Sequence, residues 1–191
     1  MSPQISRYTS SLGEEGEFEP GSRGRVLKNL LGITSKREMD RVEREALRKC
    51  EEHFSHVVTT ESKITMDLIL QMHKCVFGKI YPWGGKLRNV NVSKGGFTWP
   101  PPQYVESAFR EFEQDSLYRL TPLRGKSNEE IAHALAEVHA EFLFIHPFRD
   151  GNGRIARLIA MLMALQASPA TPEYGLPEED RDYSENAIYL P

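Results

Sequence analysis

His146-Pro147-Phe148-Arg149-Asp150-Gly151-Asn152-Gly153-Arg154-Ile155-Ala156-Arg157 is a polar, glycine-bearing loop set between two apolar-striped segments. Upstream, Ser127 and Glu130 form a capping-box pair at a helix start. Ile131, Leu135, Val138, Phe142 and Ile145 follow at three- and four-residue steps, a stripe that belongs in a core. Pro147 ends that helix, because it cannot supply an N–H to a continuing turn. Downstream, Arg154 to Gln166 carries Ile155, Leu158, Ile159, Leu162 and Leu165, a helix buried on most sides. The decisive unit is therefore helix–loop–helix, with a loop too polar to be packing.

The loop reads as chemistry. His146 is an imidazole able to accept a proton near neutral pH. Gly151-Asn152-Gly153 runs directly into the next helix, whose first N–H groups have no helical partner and attract phosphate. Arg154 and Arg157 lie three apart on the first turn, so both can face one anion. Asp150 is the single carboxylate of the loop, a natural Mg²⁺ ligand beside phosphates. A base, an anion cradle, a metal ligand and two cations suit attack on a metal-bound nucleotide phosphate. There is no Walker lysine and no strand-borne GxGxxG, so the familiar nucleotide-binding folds fit poorly.

Working outward, Ser35 and Glu38 open a helix on which Met39, Val42, Ala46 and Cys50 repeat. A second helix is expected from Thr65 to Phe77, with Leu68, Met72 and Val76 on one face. Val90 and Val92, the turn Lys94-Gly95-Gly96-Phe97, and Thr98-Trp99 read as a short hairpin closed by Pro100-Pro101-Pro102. Helix returns from Tyr104 to Leu117. The fold class is mainly α, with one β-hairpin. Residues 1–24 form an extended or flexible arm, 25–167 the folded domain, and 168–191 a Pro- and acid-rich tail with little regular structure.

The 191 residues suffice for one domain with its own core. A net charge of -3 gives no basic footprint, so no nucleic-acid partner is expected. No apolar run reaches the ~20 residues needed to span a bilayer, so no membrane is expected either. Two cysteines, Cys50 and Cys75, and no signal-peptide layout suggest a cytoplasmic protein with reduced thiols. Cys50, His53 and His56 form a zinc-like spacing without a fourth ligand, and His133 and His139 read as helix-surface or packing residues. Trp83 and Trp99 read as packing around the hairpin.

The loop resembles the signature of the Fic (Fic/Doc) family, His-Pro-Phe-x-Asp/Glu-Gly-Asn-Gly/Lys-Arg-x-x-Arg between two helices, and fills every defined position. Trp83-Gly84-Gly85-Lys86-Leu87-Arg88 and the hairpin around Phe97 extend the resemblance, which spans roughly residues 25–166. It implies a helical bundle with a β-hairpin flap and a protein adenylyltransferase, moving AMP from ATP to a Ser, Thr or Tyr hydroxyl. In that role His146 is the base, Asp150 holds Mg²⁺, and Gly151, Asn152 and Gly153 bind the α- and β-phosphates. Arg154 and Arg157 grip the outer phosphates, Phe148 is buried, and a target protein docks at the flap, residues 90–99. Gly153, where the phosphorylating Doc branch tends to carry lysine, favours AMP transfer. The alternatives are phosphate transfer, AMP removal, or a non-catalytic nucleotide- or antitoxin-binding module. Helices that usually follow the motif helix are replaced by the tail. Ser11-Leu12-Gly13-Glu14-Glu15-Gly16 matches the family's inhibitory pattern but is a poor helix, and Glu185-Asn186 follows Arg181 instead of Ser or Thr. Restraint is therefore expected from a separate antitoxin-like protein or from the tail.

Overall fold

A computed structural model of the chain describes residues 9–10 and 17–167. Helix α1 spans Lys36–Val57 and α2 spans Met66–Phe77. Their starts are those the sequence marks: Ser35 Oγ accepts the Glu38 N–H at 3.4 Å, and Thr65 Oγ1 accepts that of Leu68 at 3.2 Å. Helix α3 covers Val105–Phe112, the backbone widens by a residue per turn over Glu113–Leu117, and α4 adds Tyr118–Leu120. The helix expected over 104–117 is thus one helical run with an irregular middle. Helix α5, Asn128–Ile145, opens with both halves of its capping box formed, at 3.3 Å and 2.8 Å. Helix α6, Asn152–Ala167, follows after six residues of loop.

Helix α5 packs along α6, and α1 packs along α2 and touches α6. Phe77, Phe142, Phe148, Ile155, Leu158 and Leu162 fill the space between them with almost no exposed surface. Each such side chain contributes on the order of 1.5–3 kcal/mol through removal from water. The expectation of free, reduced thiols is corrected here: Cys50 and Cys75 are joined in a disulfide across α1 and α2, with Cα atoms 6.0 Å apart. Sequence shows Cys50 on the inner stripe of α1 but not the distance to α2 on which pairing depends. With its sulfur bonded, Cys50 also leaves the zinc-like trio with His53 and His56.

The hairpin stands beside the α5–α6 junction. Strands β2 (Val92–Lys94) and β3 (Phe97–Thr98) pair antiparallel around Gly95-Gly96, whose φ values of 56° and 85° require glycine-type backbone. A strand β1, Thr9–Ser10, adds to the other side of β2 with Thr9 opposite Ser93 and Ser10 opposite Val92. Among the described strands β2 is therefore the middle one. Residues 17–28 fold back on themselves, with Glu19 N–H donating to Val26 O at 2.9 Å and Lys28 N–H to Glu17 O at 2.9 Å. Part of the expected arm is thus ordered structure. Ser11 to Gly16 and the tail from Ser168 lie outside the described residues.

Candidate active site

His146 is the C-cap of α5, held in the left-handed region with φ 52° and ψ 59°. A side-chain-bearing residue adopts that conformation only when its surroundings impose it. Its N–H closes the helix onto Phe142 O at 3.0 Å, and Arg88 Nε donates to its carbonyl at 2.7 Å. The side chain is buried, with the Trp99 ring 4.0 Å from its own. Burial pushes the imidazole down to about 4, outweighing the backbone hydrogen bond to Leu143 that raises it. At neutral pH the ring is uncharged. Its Nδ1 lies 3.2 Å from Leu143 O, so Nδ1 carries the proton and Nε2 the lone pair. The ring thus keeps an acceptor nitrogen at neutral pH.

The loop closes through Asn152, which is fully buried. Its Oδ1 accepts the Phe148 N–H at 2.9 Å and its Nδ2 donates to Phe148 O at 2.8 Å. That side chain is committed to the loop, so what Asn152 can offer an anion is its backbone N–H. Gly151 precedes α6 with φ 84°, and a Cβ there would stand 2.4 Å from Phe77 Cε2. Only glycine fits. Its carbonyl accepts the Ile155 N–H at 3.0 Å, so the amides of Asn152, Gly153 and Arg154 are the first donors of α6, ahead of that first helical bond. Gly153 is less constrained, its added Cβ meeting only Arg157 Nη1 at 3.6 Å. That distance also brings the exposed Arg157 guanidinium over the helix start.

Arg154 is half-buried between α1, α2 and the loop. Its Nη1 donates to Glu43 Oε2 at 2.6 Å, and its guanidinium carbon lies 4.6 Å from the centre of the Phe77 ring. Its Nη2 stands 3.5 Å from Asp150 Oδ1, which also accepts the Gly151 N–H at 2.5 Å. The two motif arginines are therefore unlike, one tied into a part-buried ion pair and the other at the surface. Asp150 sits at the rim as a lone carboxylate, and no group of three metal-binding side chains occurs among the described residues. That donor set fits Mg²⁺, which binds through one or two carboxylates and substrate phosphates and not in a protein cage.

The Fic/DOC family pattern matches residues 63–164, more than half of the chain and the whole loop from His146 to Arg157. The chain belongs to the Fic/DOC family. It is 31% identical over 149 residues to the protein adenylyltransferase VbhT of Bartonella schoenbuchensis, covering 74% of this chain and 29% of that protein. It is 32% identical over 178 residues to the protein adenylyltransferase fic-1 of Caenorhabditis elegans, covering 91% of this chain and 30% of the relative. The chain thus spans under a third of the length of these two relatives. The same fold occurs in BepC of Bartonella tribocorum with bound AMPPNP, at TM-score 0.63 and 22% identity, over 74% of this chain and 73% of that one. An ADP-bound Fic domain from Bartonella quintana matches at TM-score 0.63 and 23% identity, over 78% and 75%.

Three residues of this Fic domain do work at the site that its sequence did not announce. Arg88, buried, donates from Nη1 to Val90 O at 3.0 Å and from Nη2 to Pro100 O at 2.6 Å, besides its bond to His146 O. One guanidinium thus ties the hairpin's base to the end of α5. His73 stacks on Phe148 with ring centres 3.7 Å apart, accepts the Gly85 N–H at 2.8 Å, and bonds Asp150 O through Nε2 at 3.1 Å. Burial pushes it down to about 3, so it serves as a neutral strut. Glu43 holds Arg154 on one oxygen and the Tyr81 hydroxyl on the other, at 2.6 Å each. The one available signal was an acid on the inner stripe of α1, between Met39 and Ala46. His133 lies exposed on α5 and His139 half-buried, while Trp83 and Trp99 are buried packing residues, Trp99 with its indole N–H on Leu143 O at 2.9 Å.

Proposed function

We propose that this Fic domain transfers AMP from ATP to a hydroxyl of a protein. The observation that carries the reading is a buried, neutral His146 at the head of the same loop whose far end opens α6 with its first amides. The relatives named protein adenylyltransferase support the nucleotide and the acceptor class. His146 Nε2 takes the proton of a Ser, Thr or Tyr hydroxyl. The oxygen bonds to the α-phosphorus, the bond from that phosphorus to the bridging oxygen breaks, and pyrophosphate leaves. The amides of Asn152, Gly153 and Arg154 meet the developing phosphate charge in fixed positions. Arg157 stands where it can neutralise the outer phosphates. Arg154 braces Asp150 through the Glu43 pair and adds positive charge behind the loop. Asp150 would hold Mg²⁺ together with the nucleotide, and the ion would supply further neutralisation when bound. The target enters along the hairpin, its extended backbone hydrogen-bonding to a strand edge.

The deciding experiment incubates the chain with Mg²⁺, a cell lysate and ATP labelled on the α-phosphate or, separately, on the γ-phosphate. Label on protein from the α-position alone is the expected result. Label from the γ-position alone means phosphate transfer and overturns the reading.

A further inference from the structure

A target strand needs a hairpin edge, and the hairpin offers few. Strand β3 is two residues long and runs through Trp99 into Pro100-Pro101-Pro102, which donate no N–H and end any ladder on that side. The outer edge of β2 is the longer one, and it is filled by this chain's own Thr9–Ser10. The register is suggestive as well. Ser10 stands opposite Val92, whose carbonyl accepts the Trp99 N–H at 3.1 Å, and the Trp99 ring lies 4.0 Å from that of His146. One row across the three strands therefore ends at the proposed base. The segment that fills the edge is Thr9–Ser10, two hydroxyl-bearing residues in succession.

We propose that β1 is an intramolecular stand-in for the target, an extended hydroxyl-bearing segment of this chain lodged on the edge where a protein acceptor pairs. The inference rests on the adenylyltransferase reading. A two-residue pairing is short, so a target strand displaces it by exchanging like hydrogen bonds. Until then the edge is closed to other chains, and the acceptor class it takes is an unfolded or loop segment rich in Ser and Thr that can lie extended.

The test uses the full chain and two double variants. Thr9→Pro with Ser10→Pro removes both N–H donors of β1, while Thr9→Ala with Ser10→Ala keeps them. Hydrogen exchange of the amides in 92–94 should quicken by about tenfold or more in the proline variant and stay as in wild type in the alanine variant. A synthetic peptide of residues 5–13, given in trans with ATP and Mg²⁺, should take up AMP about fivefold faster or more with the proline variant than with wild type. Equal exchange in all three proteins overturns the occupancy, whatever the chemistry. Faster exchange with equal peptide labelling overturns the claim that this edge receives the acceptor. If no form transfers AMP to the peptide, to itself or to lysate protein, the adenylyltransferase reading fails, and the exchange result alone decides whether β1 holds the edge.

Discussion

His146 combines three costs that a purely structural histidine has no reason to bear: a left-handed backbone, burial, and a neutral ring beside the Arg88 guanidinium. Together they fix which nitrogen holds the lone pair. His146→Ala should therefore lower AMP transfer by about 10²–10⁴-fold, the usual contribution of a positioned base, while ATP binding measured by calorimetry stays near wild type. Transfer within about threefold of wild type would remove the base role. The pH dependence follows from the same burial. A base with its pKa near 4 is fully deprotonated from about pH 5.5 upward, so single-turnover rates should be flat between pH 6 and 8. A rate that climbs through pH 6.5, as for an ordinary imidazole, would show that the ring is more solvated than its burial implies. Arg88 is the supporting residue. Arg88→Ala strips donors from the carbonyls of Val90, Pro100 and His146, and should cost about 3 kcal/mol in urea unfolding, with transfer falling further than ATP affinity.

At the scale of elements, the helix–loop–helix unit was legible because each of its boundaries is written locally. The Ser127–Glu130 box starts α5, Pro147 follows its end, and Gly151 supplies the positive φ before α6. Gly151→Ala would combine that strained backbone with a Cβ against Phe77, and should destabilise the chain by about 2–4 kcal/mol. Gly153→Ala, with open space, should cost under about 1 kcal/mol in the same unfolding assay. Equal losses would mean that the loop is not built on the Gly151 turn. What sequence could not supply were meetings between distant elements. Glu43 reaches Arg154 across 111 positions and His73 reaches Asp150 across 77, and nothing in the spacing of either residue points to its partner. The same limit hid the pairing of Cys50 with Cys75 and that of Thr9 with Ser93. A strand of two residues has no periodicity to detect, whereas a helix of eighteen advertises itself five times over.

Across the whole molecule the site also makes stability depend on pH, because His73 and His146 are both buried neutral. Each has a folded pKa, about 3 and about 4, below the ordinary 6.5. Between those values the unfolded chain binds protons that the folded chain refuses, so unfolding becomes easier as pH falls. The stabilisation is complete above about pH 6.5 and is lost progressively as the pH drops toward 4 and then 3. At pH 5 each histidine should have given up about 2 kcal/mol relative to pH 7.5, a large share of the 5–15 kcal/mol typical of a domain. His73 can be tested apart from catalysis, since it donates to Asp150 O and accepts from Gly85 N–H, and a glutamine amide offers one donor and one acceptor without titrating. His73→Gln should start less stable at pH 7.5, because it loses the stack on Phe148, but should lose only about half as much stability as wild type on going to pH 5. Urea midpoints with unchanged m-values, taken at half-unit steps of pH, give the comparison directly. If the two proteins lose stability in parallel, the acid sensitivity comes from other groups and His73 is not held neutral by the fold.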